Sequence, residues 1–172
     1  MKDALWKAVA WIVSREPVAN YLIRRAQRTP YFHLVDKKTG STYMERFWLL
    51  NPHPKLNDGK RKRFEWMPSV RAHWIKRRDL GRDQHSHPWD CRTIILRGYY
   101  YEARGHKRYL RWQGDTAVIT ADTFHEITNV SPDGVWTLFI MGPWKKTWGF
   151  NTPGGFVDWR TYLGLPKGGD EP

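Results

Sequence analysis

From residue 31 onward the chain is a succession of short segments rich in β-branched and aromatic residues, with turn-forming residues between them. Segments of this kind are typical of β-strands joined by tight turns. Many short antiparallel strands in one domain form a sandwich, a jelly roll or a barrel. The sequence therefore predicts an all-β fold, with strands at residues 31–35, 43–50, 69–77, 91–103, 107–112, 116–120, 125–129 and 135–141.

The first 30 residues have a different pattern. Apolar residues recur at helical spacing from Leu5 to Ile12, and they do so again after Pro17. Proline is tolerated in the first turn of a helix, so two short helices, or one broken near Pro17, fit residues 3–28. At 172 residues we expect one domain. Its expected parts are a helical segment at residues 1–30, a barrel at 31–165 and a mobile tail at 166–172.

Composition limits the surroundings and the partners of the protein. Cys91 is the only cysteine, which excludes an intramolecular disulfide and favours a reducing, cytoplasmic location. No apolar run approaches the roughly 20 residues that span a bilayer, so we expect no membrane segment. The formal net charge of +12 favours anionic partners, either small molecules or nucleic acid. The basic run at residues 60–63 is either a solvated loop tip or a phosphate-contacting patch.

Three histidines in the middle of the chain indicate a metal site. Neutral imidazole is the commonest protein ligand for divalent transition metals. His85 and His87 are two residues apart, so on a strand both side chains point to one face. His125 begins a separate predicted strand, which in a closed barrel can reach the same interior point. The sequence predicts one ion held by these three residues, with its other positions open as a catalytic site requires.

The residues around these histidines resemble the cupin superfamily over about residues 69–143. The family's first motif combines a glycine, a His-x-His pair, a glutamate and a later glycine. This chain has Gly81, His85, His87 and, eleven positions after His87, Gly98. Fewer residues separate Gly81 from His85 than is usual in the family. The sequence around this motif is also similar to that of small stand-alone cupins, many of them encoded by bacteriophages.

The family's second motif contains a glycine, a Pro-x-Gly turn, a histidine and an asparagine. Here Gly114, Asp122, His125 and Asn129 fall in register. Thr120 and Asp122 stand where the family usually has proline and glycine.

One departure concerns the family's metal-binding glutamate, which would fall at Cys91 or Arg92. Alternation along the strand places Cys91 on the ligand face. The resemblance therefore implies three imidazoles, with or without the Cys91 thiolate, although a small buried apolar role for this cysteine is the alternative. Asp90 could supply a carboxylate if the strand bulges. Three histidines without the glutamate resemble the thiol dioxygenases, which are iron cupins that oxidise cysteine-like substrates.

Other side chains are candidates for a substrate cavity. Tyr99 is a candidate for lining it or for acid–base chemistry, with core packing as the alternative. Arg71 or Arg97 could hold a carboxylate or phosphate bidentately, although a solvated outer face is the simpler role for both. The ring-and-lysine segment at residues 142–150 is interpreted as a cap or as a base-stacking surface. Four histidines have no partner pattern and are expected at the surface or in loops: His33, His53, His73 and His106.

The expected fold is thus a cupin double-stranded β-helix, a jelly-roll barrel, with a short N-terminal helical segment. The resemblance implies a metal-dependent enzyme with mononuclear iron(II), dioxygenase-type chemistry on an anionic small molecule or a nucleotide-like substrate. Zinc, manganese or nickel are the alternative ions. A sugar-nucleotide isomerase or lyase is the alternative enzyme, and a non-catalytic barrel that binds nucleic acid or anions is the third hypothesis. Cupins commonly pair, which predicts a homodimer.

Overall fold

Strands dominate the structure, a computed structural model that describes residues 2–36, 39–52, 64, 66–79, 81 and 83–166. The helices are α1 (Lys2–Val13), α2 (Glu16–Ala26) and α3 (Trp159–Tyr162). The strands are β1 (Pro30–Val35), β2 (Thr42–Leu50), β3 (Ser69–Ile75), β4 (Gln84–His85), β5 (Trp89–Arg97), β6 (Tyr99–Arg104), β7 (Lys107–Trp112), β8 (Thr116–Ile119), β9 (Glu126–Val130), β10 (Val135–Trp144), β11 (Gly149–Thr152) and β12 (Gly155–Asp158). The predicted all-β class with a short helical N-terminal segment is confirmed.

Some predicted features lie outside the described residues. These are the basic run at residues 60–63, His53 and residues 167–172 of the predicted tail. No helix among the described residues is long and apolar enough to cross a bilayer.

Two facing layers of strands form the body. Six antiparallel strands make the larger sheet, in the order β1-β2-β3-β10-β5-β8. The other layer contains the sheets β7-β6-β9 and β12-β11-β4, which an isolated bridge between His85 and His125 connects. Ile75 and Ile95 from the larger sheet pack against Tyr100 and Ile127 from the smaller layer. This packing buries the space between the layers, as in a jelly roll.

The two N-terminal helices cover the outer face of the larger sheet. The chain breaks between them at Ser14 and Arg15, and Pro17 lies in the first turn of α2, as predicted. Small side chains of α1 and α2 pack on the sheet together with partly buried rings. The buried members of this cluster are Ala10, Ala19, Ile23, Ala26, Phe47, Ala72, Ile94, Leu96, Trp136 and Leu138.

The inner face of the larger sheet carries the opposite alternation. Because side chains alternate along a strand, the residues between those of the outer cluster point into the barrel. A second apolar cluster forms there from Trp48, Trp89, Cys91, Ile119, Phe139 and Met141.

Gly98 breaks what the sequence predicted as one strand over residues 91–103. The structure has two strands, β5 and β6, which belong to different layers. Gly98 has a φ of +81°, and a Cβ added there would lie 2.5 Å from Oγ of Ser131 and 2.7 Å from the carbonyl oxygen of Gly134. Only glycine fits this left-handed, crowded position, so the chain turns from one layer to the other here.

The C-terminal region contains strands and a short helix that the sequence did not predict. The sequence reading treated residues 142–150 as a cap or base-stacking surface, whereas β10 continues to Trp144 and β11 begins at Gly149. Trp148 stacks on Trp159 with ring centres 5.4 Å apart, and Phe150 stacks on Tyr162 at 3.8 Å. These stacked rings fix the β11–β12 hairpin and α3 beside β4.

Candidate metal centre

Backbone pairing places the three predicted histidines together. His85 lies on β4 and His125 immediately precedes β9. The amide of His85 donates to the carbonyl of His125 at 2.9 Å, and the amide of His125 donates back at 2.9 Å. This reciprocal pair makes the two residues direct cross-strand neighbours, whose side chains point to one face. His87 follows two residues after His85 and points to the same side.

The three imidazole rings converge. Ring centres are 5.2 Å apart for His85 and His87, 4.8 Å for His85 and His125, and 5.1 Å for His87 and His125. Nε2 of His87 lies 2.9 Å from Nε2 of His125. One nitrogen from each ring can be chosen so that all three lie within 4.8 Å of one another. The predicted convergence of these residues is confirmed.

Burial keeps these rings in the form that binds metals. Loss of hydration, followed by the charge of His125, lowers the pKa of His85 to about 4. The same two causes, with His85 added, lower the pKa of His87 well below its ordinary value. Both rings are therefore neutral at physiological pH, and each keeps a nitrogen lone pair available.

The carboxylate of Glu102 on β6 contacts His125 on the Nδ1 side of its ring. Its Oε1 lies 3.0 Å from Nδ1 of His125, and the Glu102 side chain is fully buried. Arg104 and Arg111 each donate to it from Nε at 2.9 Å. Burial alone would raise the pKa of Glu102, but the bonds and charges of His125 and Arg104 outweigh it and lower the pKa to about 2. The ionised carboxylate directs Nε2 of His125 toward His87.

Asp79 stands in a similar place behind His85. One carboxylate oxygen of Asp79 lies 4.0 Å from Nδ1 of His85 and accepts the amide of Ile127 at 2.7 Å. The other oxygen accepts the hydroxyl of Tyr43. Asp79 thus places a second carboxylate beside a histidine of the group, at a longer distance than that of Glu102 from His125.

Comparison with solved structures identifies the architecture. A cupin-2 domain protein from Rhodospirillum rubrum matches with 12% identity and a TM-score of 0.52, covering 73% of this chain and 78% of that one. A cupin 2 conserved barrel domain protein from Rhodopseudomonas palustris matches with 16% identity and a TM-score of 0.52, covering 74% and 78%. The chain has the cupin fold.

A further structure with this fold is the DMSP lyase DddQ from Ruegeria pomeroyi. It matches with 12% identity and a TM-score of 0.55, covering 81% of this chain and 69% of that one. No protein-family model and no curated protein sequence matches the chain. The likeness is therefore one of cupin fold.

Cys91 lies inside the cupin barrel but apart from the histidine group. It is 4% exposed and packs among the rings and aliphatic side chains of the inner cluster. Burial raises the pKa of its thiol, so the thiolate that binds metals is disfavoured. Among the described residues, the side chains whose ligand atoms gather within 4.8 Å are His85, His87 and His125, without a cysteine. The structure favours the apolar role over the thiolate ligand.

Asp90 is also outside the group. Its carboxylate accepts the amide of Ala121 at 2.9 Å and pairs with Lys145 at 2.5 Å, and its side chain is 42% exposed. The hydrogen bond from Lys145 and that from Ala121 lower the pKa of Asp90. It is an exposed ion-pair partner, and the glutamate position of the first cupin motif has no acidic replacement here.

The structure does not bring Arg97 and Tyr99 to the three histidines. A β-bulge in the pairing of β5 with β10 sets Arg97 opposite Trp136 on the helix-covered face, where it hydrogen-bonds to Asn20 of α2. Tyr99 stacks on Trp112 with ring centres 4.9 Å apart, whereas Glu102 occupies the inward phase of the same strand. The bulge and Gly98 each shift the alternation of side chains. Alternation counted through them therefore does not predict where Arg97 and Tyr99 point.

Two expectations about β3 were wrong. Arg71 was expected on a solvated face and His73 at the surface, yet they are only 4% and 5% exposed. They occupy the inward phase of β3, and His73 stacks on Phe139 with ring centres 5.0 Å apart. His106 is exposed, as expected, and His33 is half-buried. The misplacement arose because polar residues at alternate positions of a strand normally mark its solvent face.

The sequence reading did not find Glu102. The resemblance directed attention to residues 91 and 92 for an acid, and a lone glutamate after three tyrosines has no distinctive spacing. Its only indication is its position two residues after Tyr100, which is buried in the core, because alternate side chains on a strand share a face. This alternation can be used only once Gly98 is known to break the strand.

Proposed function

We propose that the protein is a metal-dependent cupin enzyme in which His85, His87 and His125 hold one divalent transition ion. The observation that carries the proposal is the 2.9 Å separation between Nε2 of His87 and Nε2 of His125. Two nitrogens bound at right angles to one ion, each at about 2.1 Å, lie about 3 Å apart. The two rings are therefore spaced as neighbouring ligands of one ion would be.

The donor set fits such an ion in its chemistry as well. Imidazole suits iron, zinc, nickel and copper, and both His85 and His87 are neutral at physiological pH. The three ligand nitrogens, one from each ring, lie within 4.8 Å of one another.

We propose iron(II) as the ion and an anionic small molecule as the substrate. Iron(II) held by His85, His87 and His125 would supply positive charge for an anion and redox chemistry with dioxygen. Glu102 fixes the ring of His125 through Nδ1, and Asp79 lies behind His85. The rings of Phe139, Trp148 and Phe150 lie 5.5 to 6.4 Å from those of His87 or His85 and restrict water. In this proposal the histidines bind the ion, Glu102 orients the ring of His125, and the aromatic rings exclude water.

The test is metal analysis of protein purified without chelator, followed by reconstitution with iron(II) under nitrogen. We expect close to one equivalent in the wild type and strong loss in His87→Ala. His106→Ala, a change at an exposed histidine in the β6–β7 turn, is the matched control and should retain the ion. Less than about a tenth of an equivalent in the reconstituted wild type would contradict the proposal.

The reaction class has its own test. With metal-loaded protein, oxygen consumption should accompany turnover of an anionic substrate and stop when His87 is replaced. Turnover that proceeds equally under nitrogen would favour the isomerase or lyase alternative, in which His or Tyr groups move protons. Nucleic-acid binding and the homodimer stay predictions.

A further inference from the structure

The inner face of the larger sheet contains buried positive charge beside the three histidines. Arg71 on β3 is 4% exposed and Arg46 on β2 is 9% exposed. Among the described residues, no carboxylate lies within 4.0 Å of either guanidinium. Glu102, the buried acid of the barrel, is engaged by Arg104, Arg111 and His125. A buried charge without a counter-ion is costly.

Hydrogen-bond donors in the same region also lack partners. Nε of Arg71, Nη2 of Arg46 and Nε1 of Trp48 are buried and have no hydrogen-bond partner within the described residues. Buried polar atoms are normally paired in folded proteins. Three such donors in one place therefore indicate an acceptor that binds there and carries negative charge.

Aromatic rings enclose the Arg71 guanidinium. Its Cζ lies 5.3 Å from the ring centre of Phe139, 5.6 Å from Trp89, 5.7 Å from Trp48 and 5.8 Å from Tyr31. Cation–π attraction at these distances offsets part of the lost hydration. Burial, followed by the charge of Arg46, lowers the pKa of Arg71 to about 9, so the group is still charged at neutral pH.

Phe139 connects this charge to the histidines. Its ring centre lies 5.3 Å from Cζ of Arg71 and 5.5 Å from the ring centre of His87. An anion on Arg71 and an ion held by the histidines would thus be separated by about one aromatic ring.

We propose that Arg71, supported by Arg46, forms an anion-binding subsite that takes the carboxylate of a small organic substrate. The planar guanidinium presents two parallel N–H groups that match the two oxygens of a carboxylate. A monoanion is favoured over a phosphate dianion because the subsite is walled by rings and removal of a second charge from water costs more. That this carboxylate belongs to the substrate rests on the proposed metal function, whereas its binding does not.

The experiment is a nuclear magnetic resonance titration of the full-length, chelator-treated protein with sodium propionate, sodium phosphate or sodium chloride at matched ionic strength. The signals followed are the guanidinium Nε–H of Arg71 and the indole Nε1–H of Trp48. Propionate should shift both signals with saturation and chloride should shift neither. The dissociation constant for propionate should rise at least about tenfold in Arg71→Lys, because lysine keeps the charge but cannot form the bidentate hydrogen bonds.

Arg71→Met should remain folded, because an apolar side chain replaces an unpaired buried charge, and should show no saturable response at Trp48. Arg108→Met, a change at an exposed position of β7, should bind propionate as the wild type does. An absent response in the wild type, an unchanged constant in Arg71→Lys, or saturation by phosphate alone would each overturn the proposal. Saturable propionate binding, together with failure of the same protein to take up an ion on reconstitution, would leave this subsite standing and remove the metal function instead.

Discussion

Oε1 of Glu102 and Nδ1 of His125 are 3.0 Å apart. This contact connects strand β6 to the candidate metal centre. Two arginines neutralise the same carboxylate from other sides. The negative charge of Glu102 beside Nδ1 favours a proton on that nitrogen, which leaves a lone pair on Nε2, and Nε2 is the atom that faces His87. The orientation of the ring is therefore set without any ion.

This relationship predicts the effect of Glu102→Gln. An amide is a weaker acceptor and no longer carries charge, so the basicity and orientation of His125 should suffer. Loss of such a supporting carboxylate typically lowers metal affinity about 10–100-fold. Competition between the protein and a chelator for zinc or manganese measures the change. Glu126→Gln, a half-buried position on β9, is the control, and equal affinities for the two variants would contradict the assigned role.

The depressed pKa of His85 predicts a pH dependence of stability. An unfolded chain protonates histidine near about pH 6.5, whereas the folded protein resists protonation of His85 until about pH 4. The unfolded state therefore takes up this proton first, and the metal-free protein should lose stability as the pH falls between these values. The loss attributable to His85 is on the order of 3 kcal/mol.

Urea denaturation of chelator-treated protein at intervals from pH 7 to pH 4 measures this loss. His85→Gln should show a shallower decline than the wild type. Glu102 acts in a lower window, because its pKa is lowered to about 2, and its contribution is lost as the pH falls below about 4.5. Parallel pH profiles for the wild type and His85→Gln would count against a buried, neutral ring.

Gly98→Ala should destabilise the fold more than Gly105→Ala. Both glycines have positive φ, +81° and +55°, so both variants incur left-handed strain. An added Cβ at Gly98 meets Ser131 and Gly134 within 2.7 Å, whereas nothing lies within 4 Å at Gly105. Overlap of this kind adds about 1–3 kcal/mol. Equal free energies of unfolding for the two variants would show that the approach at Gly98 is not tight.

Cys91→Ala should leave metal content unchanged and lower the free energy of unfolding by about 1–2 kcal/mol, since it removes a buried apolar atom. The folded wild type should also resist alkylation by iodoacetamide, because burial raises the thiol pKa. Metal analysis and denaturation of the same preparation separate the two effects. Loss of the ion from this variant would restore the thiolate-ligand hypothesis.

Local patterns predicted much of this architecture. Alternation and turn residues located most strands of the larger sheet, and the spacing of His85, His87 and His125 predicted their convergence. The sequence could not predict which face of the strand each side chain of β6 points to. The bulge before Arg97 and the left-handed Gly98 reset the alternation between β5 and β6, so Tyr99 was assigned to the interior that Glu102 occupies. A strand register is fixed by pairing with distant residues and is not encoded within the segment itself.

Arg71 shows a second limit. A charged residue between apolar neighbours on a strand normally faces water, and here it faces the barrel interior with rings around it. Such a placement opposes the general cost of burying charge, so sequence reasoning based on that cost assigns it to the wrong face. Departures of this kind are expected where binding function outweighs stability.

The most direct measurement is X-ray diffraction from a crystal of reconstituted protein, with anomalous data collected on both sides of the metal absorption edge. We expect one anomalous peak within about 2.1 Å of a nitrogen from each of His85, His87 and His125, with the Glu102 carboxylate still beside Nδ1 of His125. No peak between the three rings, or an ion bound by other side chains, would contradict the proposed metal centre.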